Sequence, residues 1–152
     1  MIIVCDIDGT LANVQHRVHR IAESWDAFHS DLLGDGVYGP TLAALNSFSL
    51  AGFTIVFLTG RPRNYEAETI KWLSDNCGFD LDDDFEALLM RGSEDYRPDV
   101  EVKSELLSAW LHGFQDEDPD MDSILILDDR DKVVTGWRDL GYTCWQVRQG
   151  DY

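Results

Sequence analysis

Basic residues are scarce in this chain: 12 Lys and Arg stand against 29 Asp and Glu, a formal net charge of −17. That balance argues against an extended nucleic-acid track, because nonspecific binding to a phosphate backbone depends on clustered Lys and Arg. It leaves room for a small anion in a locally positive pocket, with most of the acid surplus serving as solvated surface. A run of about 18 apolar residues is also missing, so no membrane-spanning helix is expected. The three cysteines, Cys5, Cys77 and Cys144, are odd in number and far apart. They suit a reducing cytoplasm better than a disulfide framework, and Cys5 and Cys144 read as small buried hydrophobes. No Cys-x-x-Cys or His/Cys cluster suggests zinc. No signal peptide is expected, because the first strand begins at Ile2. Repeats, low-complexity stretches and linkers are absent as well. With 152 residues, 44% of them hydrophobic, the expectation is one domain over 1–152 with a proper core.

What is present is an alternation of apolar runs and amphipathic stretches. Ile2 to Cys5, Phe53 to Leu58, Ala87 to Met90, Ser123 to Leu127 and Tyr142 to Val147 read as strands. Between them, Thr41 to Ala51 (after Pro40), Asn64 to Cys77, Asp99 to His112 and Lys132 to Leu140 read as helices, stopped by Gly52, Gly78, Gly113 and Gly141. Val14, Val18, Ile21, Trp25, Phe28 and Leu32 recur at three- and four-residue steps, which predicts one helix over Gln15 to Leu33. Asp80 to Asp84 and Asp116 to Asp122 read as acidic loops. Strands alternating with helices imply an α/β fold: a Rossmann-like three-layer sandwich around a mostly parallel five-stranded sheet. Residues 12–39 form a small helical insertion after the first strand.

Three strand ends carry polar signatures: Asp6-Ile7-Asp8, Thr59-Gly60-Arg61 and Asp128-Asp129-Arg130. Folding alone does not account for that recurrence, whereas a shared site at one sheet edge does. The most informative stretch is Asp6-Ile7-Asp8-Gly9-Thr10. Gly9 allows a tight turn and close approach of a ligand to the backbone. An aspartate side chain ordinarily titrates at about pH 3.9. It is therefore already ionised at neutral pH and serves as a nucleophile without an activating base. Toward an anionic phosphomonoester its obstacle is charge, which a Mg²⁺ ion held by carboxylates offsets. A second acid two residues on suits protonation of the leaving oxygen and later deprotonation of water. Arg17 and Arg20 are placed to face the site mouth. His16, His19, His29 and His112 are given no chemistry, and the first three read as surface, while Trp137, Trp145 and Val147 read as core.

Asp6-x-Asp8-Gly9-Thr10, Thr59, Lys103 and Asp128-Asp129, in that order, resemble the four motifs of the haloacid dehalogenase (HAD) superfamily of phosphatases. Thr59-Gly60-Arg61, Arg97-Pro98-Asp99 with Lys103, and the run from Asp128 through Trp137-Arg138, Cys144-Trp145-Gln146-Val147 and Gly150-Asp151 resemble more closely the phosphatase domain of phage polynucleotide kinase/phosphatases. That resemblance implies Asp6 as nucleophile and Asp8 as general acid and base. It implies a metal held by Asp6, the backbone carbonyl of Asp8, and Asp128, with Asp129 binding through water or orienting the ligands. Thr59 and amides near Gly9 and Gly60 would hold phosphate oxygens, Arg61 would grip the substrate phosphate, and Lys103 would neutralise it. Asp99 would support Lys103 or the metal's surroundings, or serve as a plain helix cap.

The implied activity is a Mg²⁺-dependent phosphomonoesterase of the cytoplasm acting on a phosphorylated nucleotide or nucleic-acid end. A 3′-phosphorylated polynucleotide end stands first, a free 5′- or 3′-mononucleotide second, and another phosphotransferase of the superfamily third. A non-catalytic binding protein would be signalled by loss of Asp6 or Asp8, and both are present. No Gly-x-x-x-x-Gly-Lys-Ser/Thr run accompanies these motifs, so no kinase activity is expected by that route.

Overall fold

The computed structural model describes residues 1–81, 83–114 and 120–150. In chain order the elements are β1 (Ile2–Cys5), β2 (Ala12–Asn13), α1 (Trp25–Ser30), β3 (Gly36–Val37), α2 (Gly39–Leu50), β4 (Thr54–Pro62), α3 (Glu66–Cys77), β5 (Ala87–Arg91), α4 (Asp99–Phe114), β6 (Ile124–Arg130), α5 (Asp131–Asp139) and β7 (Thr143–Gly150). The expected parallel sheet is present, with five strands in the order β5-β4-β1-β6-β7, each neighbouring pair parallel. The polar strand ends belong to the ladder, so β4 and β6 run on to Pro62 and Arg130. Likewise α4 passes through Gly113. Part of each expected acidic loop lies outside the described residues, as do Asp151 and Tyr152.

Alternation along the strands explains the three layers. Ile3, Cys5, Ile55 and Phe57 face Leu45 of α2 and Trp72 and Leu73 of α3. Ile2, Val4, Val56 and Leu58 face Leu107 and Leu111 of α4, and Val133, Val134 and Trp137 of α5. Both faces of the central strands are therefore apolar, as parallel sheets require. β1 lies between β4 and β6, and its burial on both sides fixes where Asp6 emerges. All three cysteines are buried and unpaired.

The insertion differs from the single helix read over Gln15 to Leu33. It contains a 3-10 turn at Val18–Ala22, the six-residue α1 and a second 3-10 turn at Leu32–Gly34. Ser24 is the reason for the break: its hydroxyl accepts from the Ala27 amide at 3.0 Å and starts a new helix. An antiparallel pair that the periodicity does not suggest, β2 with β3, pinches the two ends together through Ala12↔Val37 and Asn13↔Gly36. Two further expectations are corrected. Trp145 is 55% exposed; it lies on edge strand β7, where among the described aromatic rings Phe48 of α2 approaches it at 6.5 Å. His29 is buried, packed between Phe28 and Tyr65. Trp137 is buried as expected, and Val147 is partly buried against the core.

Candidate active site

The carboxyl ends of β1, β4 and β6 deliver the polar signatures to one place. Asp6 follows directly on β1, its amide donating to Leu127 O at 2.9 Å. Lys103, one turn into α4, reaches across the sheet edge. Its Nζ donates to Asp6 Oδ1 at 2.7 Å and to Asp128 Oδ2 at 2.8 Å. The Lys103 side chain is only 3% exposed. Burial would strip its proton, but Asp128 and Asp6 outweigh burial and hold its pKa well above the usual lysine range.

One lysine does not balance the acids around it. Carboxylate oxygens of Asp6, Asp128 and Asp129 lie within 4.8 Å of one another, all three residues buried. Burial drives the Asp6 pKa upward, and Asp128 and Asp129 add to it while Lys103 opposes. Asp129 is likewise pushed up to about 6, by burial first and Asp128 second. One of its oxygens, Oδ1, accepts from the Thr10 hydroxyl at 3.2 Å. The other, Oδ2, is buried with no hydrogen-bond partner among the described residues. Three crowded oxygen donors with an orphaned lone pair fit a hard divalent cation such as Mg²⁺. With such an ion bound, an Asp129 oxygen would stand in the donor set beside Asp6 and Asp128. The Asp8 side chain stands outside that trio, which leaves its backbone carbonyl as the atom by which it would join. Gly150 closes the site from behind: a Cβ there would lie 2.0 Å from Asp129 Oδ2, so only glycine fits at the end of β7.

Asp8 is gripped from the opposite side. Its Oδ1 accepts from Arg17 Nη2 at 2.7 Å, Arg61 Nη2 at 2.6 Å and Arg61 Nε at 3.0 Å. Burial works to raise the Asp8 pKa, but Arg61 and Arg17 overcome it and hold the carboxyl below its ordinary range. Both guanidinium groups also bond Asp35. Arg17 donates to its two oxygens at 2.6 and 2.7 Å, and Arg61 to Oδ2 at 3.0 Å. Asp35 is thereby tied to the centre of the site, a role that no motif in the sequence marks. Arg17 faces the site as expected, but from full burial; Arg20 turns away to Asp31.

The remaining expected residues divide. Gly60 lines the cavity over Asp6 and Asp8, which holds about 290 Å³. Thr59 is fully buried, and its hydroxyl accepts from the Arg61 amide at 3.2 Å. Gly9 takes the left-handed conformation at φ 85°, and its own amide is used by the turn, donating to Ala12 O at 2.9 Å. Arg61, expected on the substrate phosphate, is fully buried and holds Asp8 and Asp35 instead, because they are the acids within its reach. Asp99 opens α4 and pairs with Arg91 and Arg130 at the cavity rim.

A parallel α/β sheet with an aspartate after its first strand, a lysine from a later helix and a second acid pair on a neighbouring strand defines a HAD-like phosphatase. Residues 1–152 match the family described as the polynucleotide kinase PNKP phosphatase domain, and the chain belongs to that family. Two solved chains support this, one from the Pnkp1/Rnl/Hen1 RNA repair complex and one from a further structure of the Pnkp1/Rnl/Hen1 complex. The first is 30% identical with a TM-score of 0.76, over 99% of this chain and 43% of that one. The second is 31% identical with a TM-score of 0.77, over 99% and 46%. This chain thus spans less than half the length of either. A haloacid dehalogenase-like hydrolase from Streptococcus pneumoniae shares the fold at 14% identity and a TM-score of 0.62, over 97% of this chain and 86% of that one. No described helix is long and apolar enough to cross a membrane.

Proposed function

We propose that the protein is a Mg²⁺-dependent phosphomonoesterase that forms an aspartyl phosphate on Asp6 and removes 3′-phosphate from polynucleotide ends. The observation that carries this reading is Lys103 Nζ shared between Asp6 and Asp128 beside an Asp8 held by two arginines. The family and the repair-complex relatives direct it to nucleic-acid ends. Residues 1–152 act as one phosphatase unit, and the segment around 12–39 carries Arg17 and Asp35 into its site. The unpaired cysteines fit a reducing cytoplasm.

An Asp6 oxygen attacks phosphorus, and the P–O bond to the nucleoside breaks as Asp8 gives its proton to the leaving oxygen. A water then attacks the same phosphorus and passes a proton to Asp8, and the acyl phosphate bond breaks to free Asp6 and inorganic phosphate. In the free protein the arginines keep Asp8 ionised. A phosphate dianion arriving beside Asp8 is a like charge that raises its pKa, so that Asp8 takes up a proton from solvent and enters the first step as the acid. Lys103 offsets the charge gathering between Asp6 and the phosphoryl group. Asp6, Asp128 and Asp129, with the Asp8 carbonyl, would hold Mg²⁺, which when bound neutralises the nucleophile and the phosphate together. Arg17, Arg61 and Asp35 fix Asp8 in orientation, and Thr59 and Gly60 shape the phosphate's approach.

The free mononucleotide is the second reading, favoured by the cavity of about 290 Å³ and the net charge of −17. Phosphate release with Mg²⁺ from a 3′-phosphorylated oligonucleotide, set beside deoxynucleoside 3′- and 5′-monophosphates, decides between them. Faster release from the oligonucleotide is expected; strong preference for a mononucleotide would replace the first reading with the second.

A further inference from the structure

We propose that Trp25, Tyr96 and His29 form a nucleobase subsite at the mouth of the phosphatase cavity, binding the terminal base of the substrate. The proposal rests on the nucleotide reading above and adds to it the means of holding the nucleoside. The cavity lining carries two chemistries: the charged groups of Asp6, Asp8 and Lys103, and the aromatic rings of Trp25, His29 and Tyr96. Trp25 is 53% exposed and Tyr96 is 86% exposed. Phosphate and metal are recognised by charge and need no such rings. A base presents a π-face on either side, and stacking it on aromatic side chains is the usual way to hold a nucleotide without reading its sequence.

The wall on α1 is pre-organised. Trp25 packs edge-on against Phe28 at 5.8 Å and 88°, and lies nearly parallel to His29 at 6.2 Å and 25°. Tyr65 anchors the same helix by bonding the Asp26 carboxylate. Tyr96 lies on the loop between β5 and α4 and lines the same cavity. His29 supplies an independent sign of a ligand. It is 5% exposed and lines the cavity, and its Nδ1 is buried with no hydrogen-bond partner among the described residues. A buried polar atom left unsatisfied is costly, and a base edge or sugar hydroxyl would satisfy this one once the ring turns it toward the cavity. Burial lowers the His29 pKa to about 4, so at neutral pH the ring carries one donor and one acceptor nitrogen. The volume of about 290 Å³ stands near the lower bound for small-molecule sites. It suits a single nucleotide, with any longer strand leading outward.

Steady-state kinetics with Mg²⁺ test this on three substrates: a 3′-phosphorylated oligonucleotide with a normal terminal base, the same strand with an abasic terminal residue, and a deoxynucleoside 3′-monophosphate. Wild type should show a KM roughly ten- to a hundredfold lower for the base-bearing end than for the abasic end. In Trp25→Ala and Tyr96→Ala that ratio should collapse toward one, while Trp25→Phe keeps most of it. Both side chains are exposed, so their truncation spares the core. If the monophosphate is preferred and shows the same dependence on Trp25 and Tyr96, the subsite stands and the substrate is the free nucleotide. Equal wild-type KM values for base-bearing and abasic ends overturn the subsite and leave the phosphatase reading intact. Hydrolysis of a simple alkyl phosphate but of no nucleotide overturns the nucleotide reading and the subsite with it.

Discussion

Lys103 Nζ lies 2.7 Å from Asp6 Oδ1, so the buried ammonium sits directly on the proposed nucleophile. Replacing it by methionine keeps the length of the side chain and removes the charge. Lys103→Met should lower kcat by about 10²–10³, the usual cost of losing one preorganised donor. The variant should also be less stable, on the order of 3 kcal/mol, because breaking one side of a buried pair leaves uncompensated acids. Turnover within a few fold of wild type would show that Lys103 does not act on the transferring phosphoryl group.

Arg17 reaches Asp8 and Asp35 from an irregular segment, and its fork bonds both Asp35 oxygens. Arg17→Lys retains the charge but not the fork. A shift of Asp8 by about 1 Å can cost on the order of a hundredfold in rate. kcat should therefore fall well below wild type with KM little changed. A rise in KM alone would mean that Arg17 binds substrate and does not orient Asp8.

Mg²⁺ should stabilise the folded chain. The donor set Asp6, Asp128 and Asp129 lies within 4.8 Å, and a ligand at about a hundred times its Kd adds about 2.7 kcal/mol. For a domain of this size that corresponds to a rise of several degrees in Tm. Chelator should reverse the rise, and Asp128→Asn should greatly reduce it. An unchanged Tm in saturating Mg²⁺ would remove the metal from this site.

His29 titrates at about 4, lowered first by burial and further by Arg17 and Arg61, with Asp8 opposing. Unfolded, its pKa is about 6.5. Between those values the unfolded chain binds the extra proton, so this residue's contribution to stability falls as pH drops from about 6.5 toward 4. His29→Phe removes the titration. Urea unfolding at pH 7 and pH 5 should show wild type losing about 2 kcal/mol more than the variant over that interval. Parallel losses in the two proteins would show that His29 is not buried neutral.

The sheet and the ends of its strands are legible because each apolar run stops where a polar signature begins; Asp6, Thr59 and Asp128 need only that local pattern. The pairing of Arg17 with Asp35 is not legible. The two residues lie at opposite ends of an irregular segment, and no periodicity encodes a contact made by a guanidinium fork. The three- and four-residue spacing from Val14 to Leu32 resembles one helix, yet the Ser24 cap divides it. Trp145 departs from expectation because position outweighs residue type: alternation along β7 buries Cys144 and turns Trp145 outward. For Asp129 the motif implies water-mediated binding or orientation, since sequence cannot show that one of its oxygens is left unpaired.

Acid-quenched single turnover with a 3′-[³²P]phosphorylated oligonucleotide tests the covalent role of Asp6 most directly. Label should attach transiently to the peptide containing Asp6 and be lost on base treatment, as an acyl phosphate is. Asp6→Asn should show no label and less than roughly a hundredth of wild-type turnover. Full turnover with no labelled protein at any quench time, or a labelled and active Asp6→Asn, would contradict it.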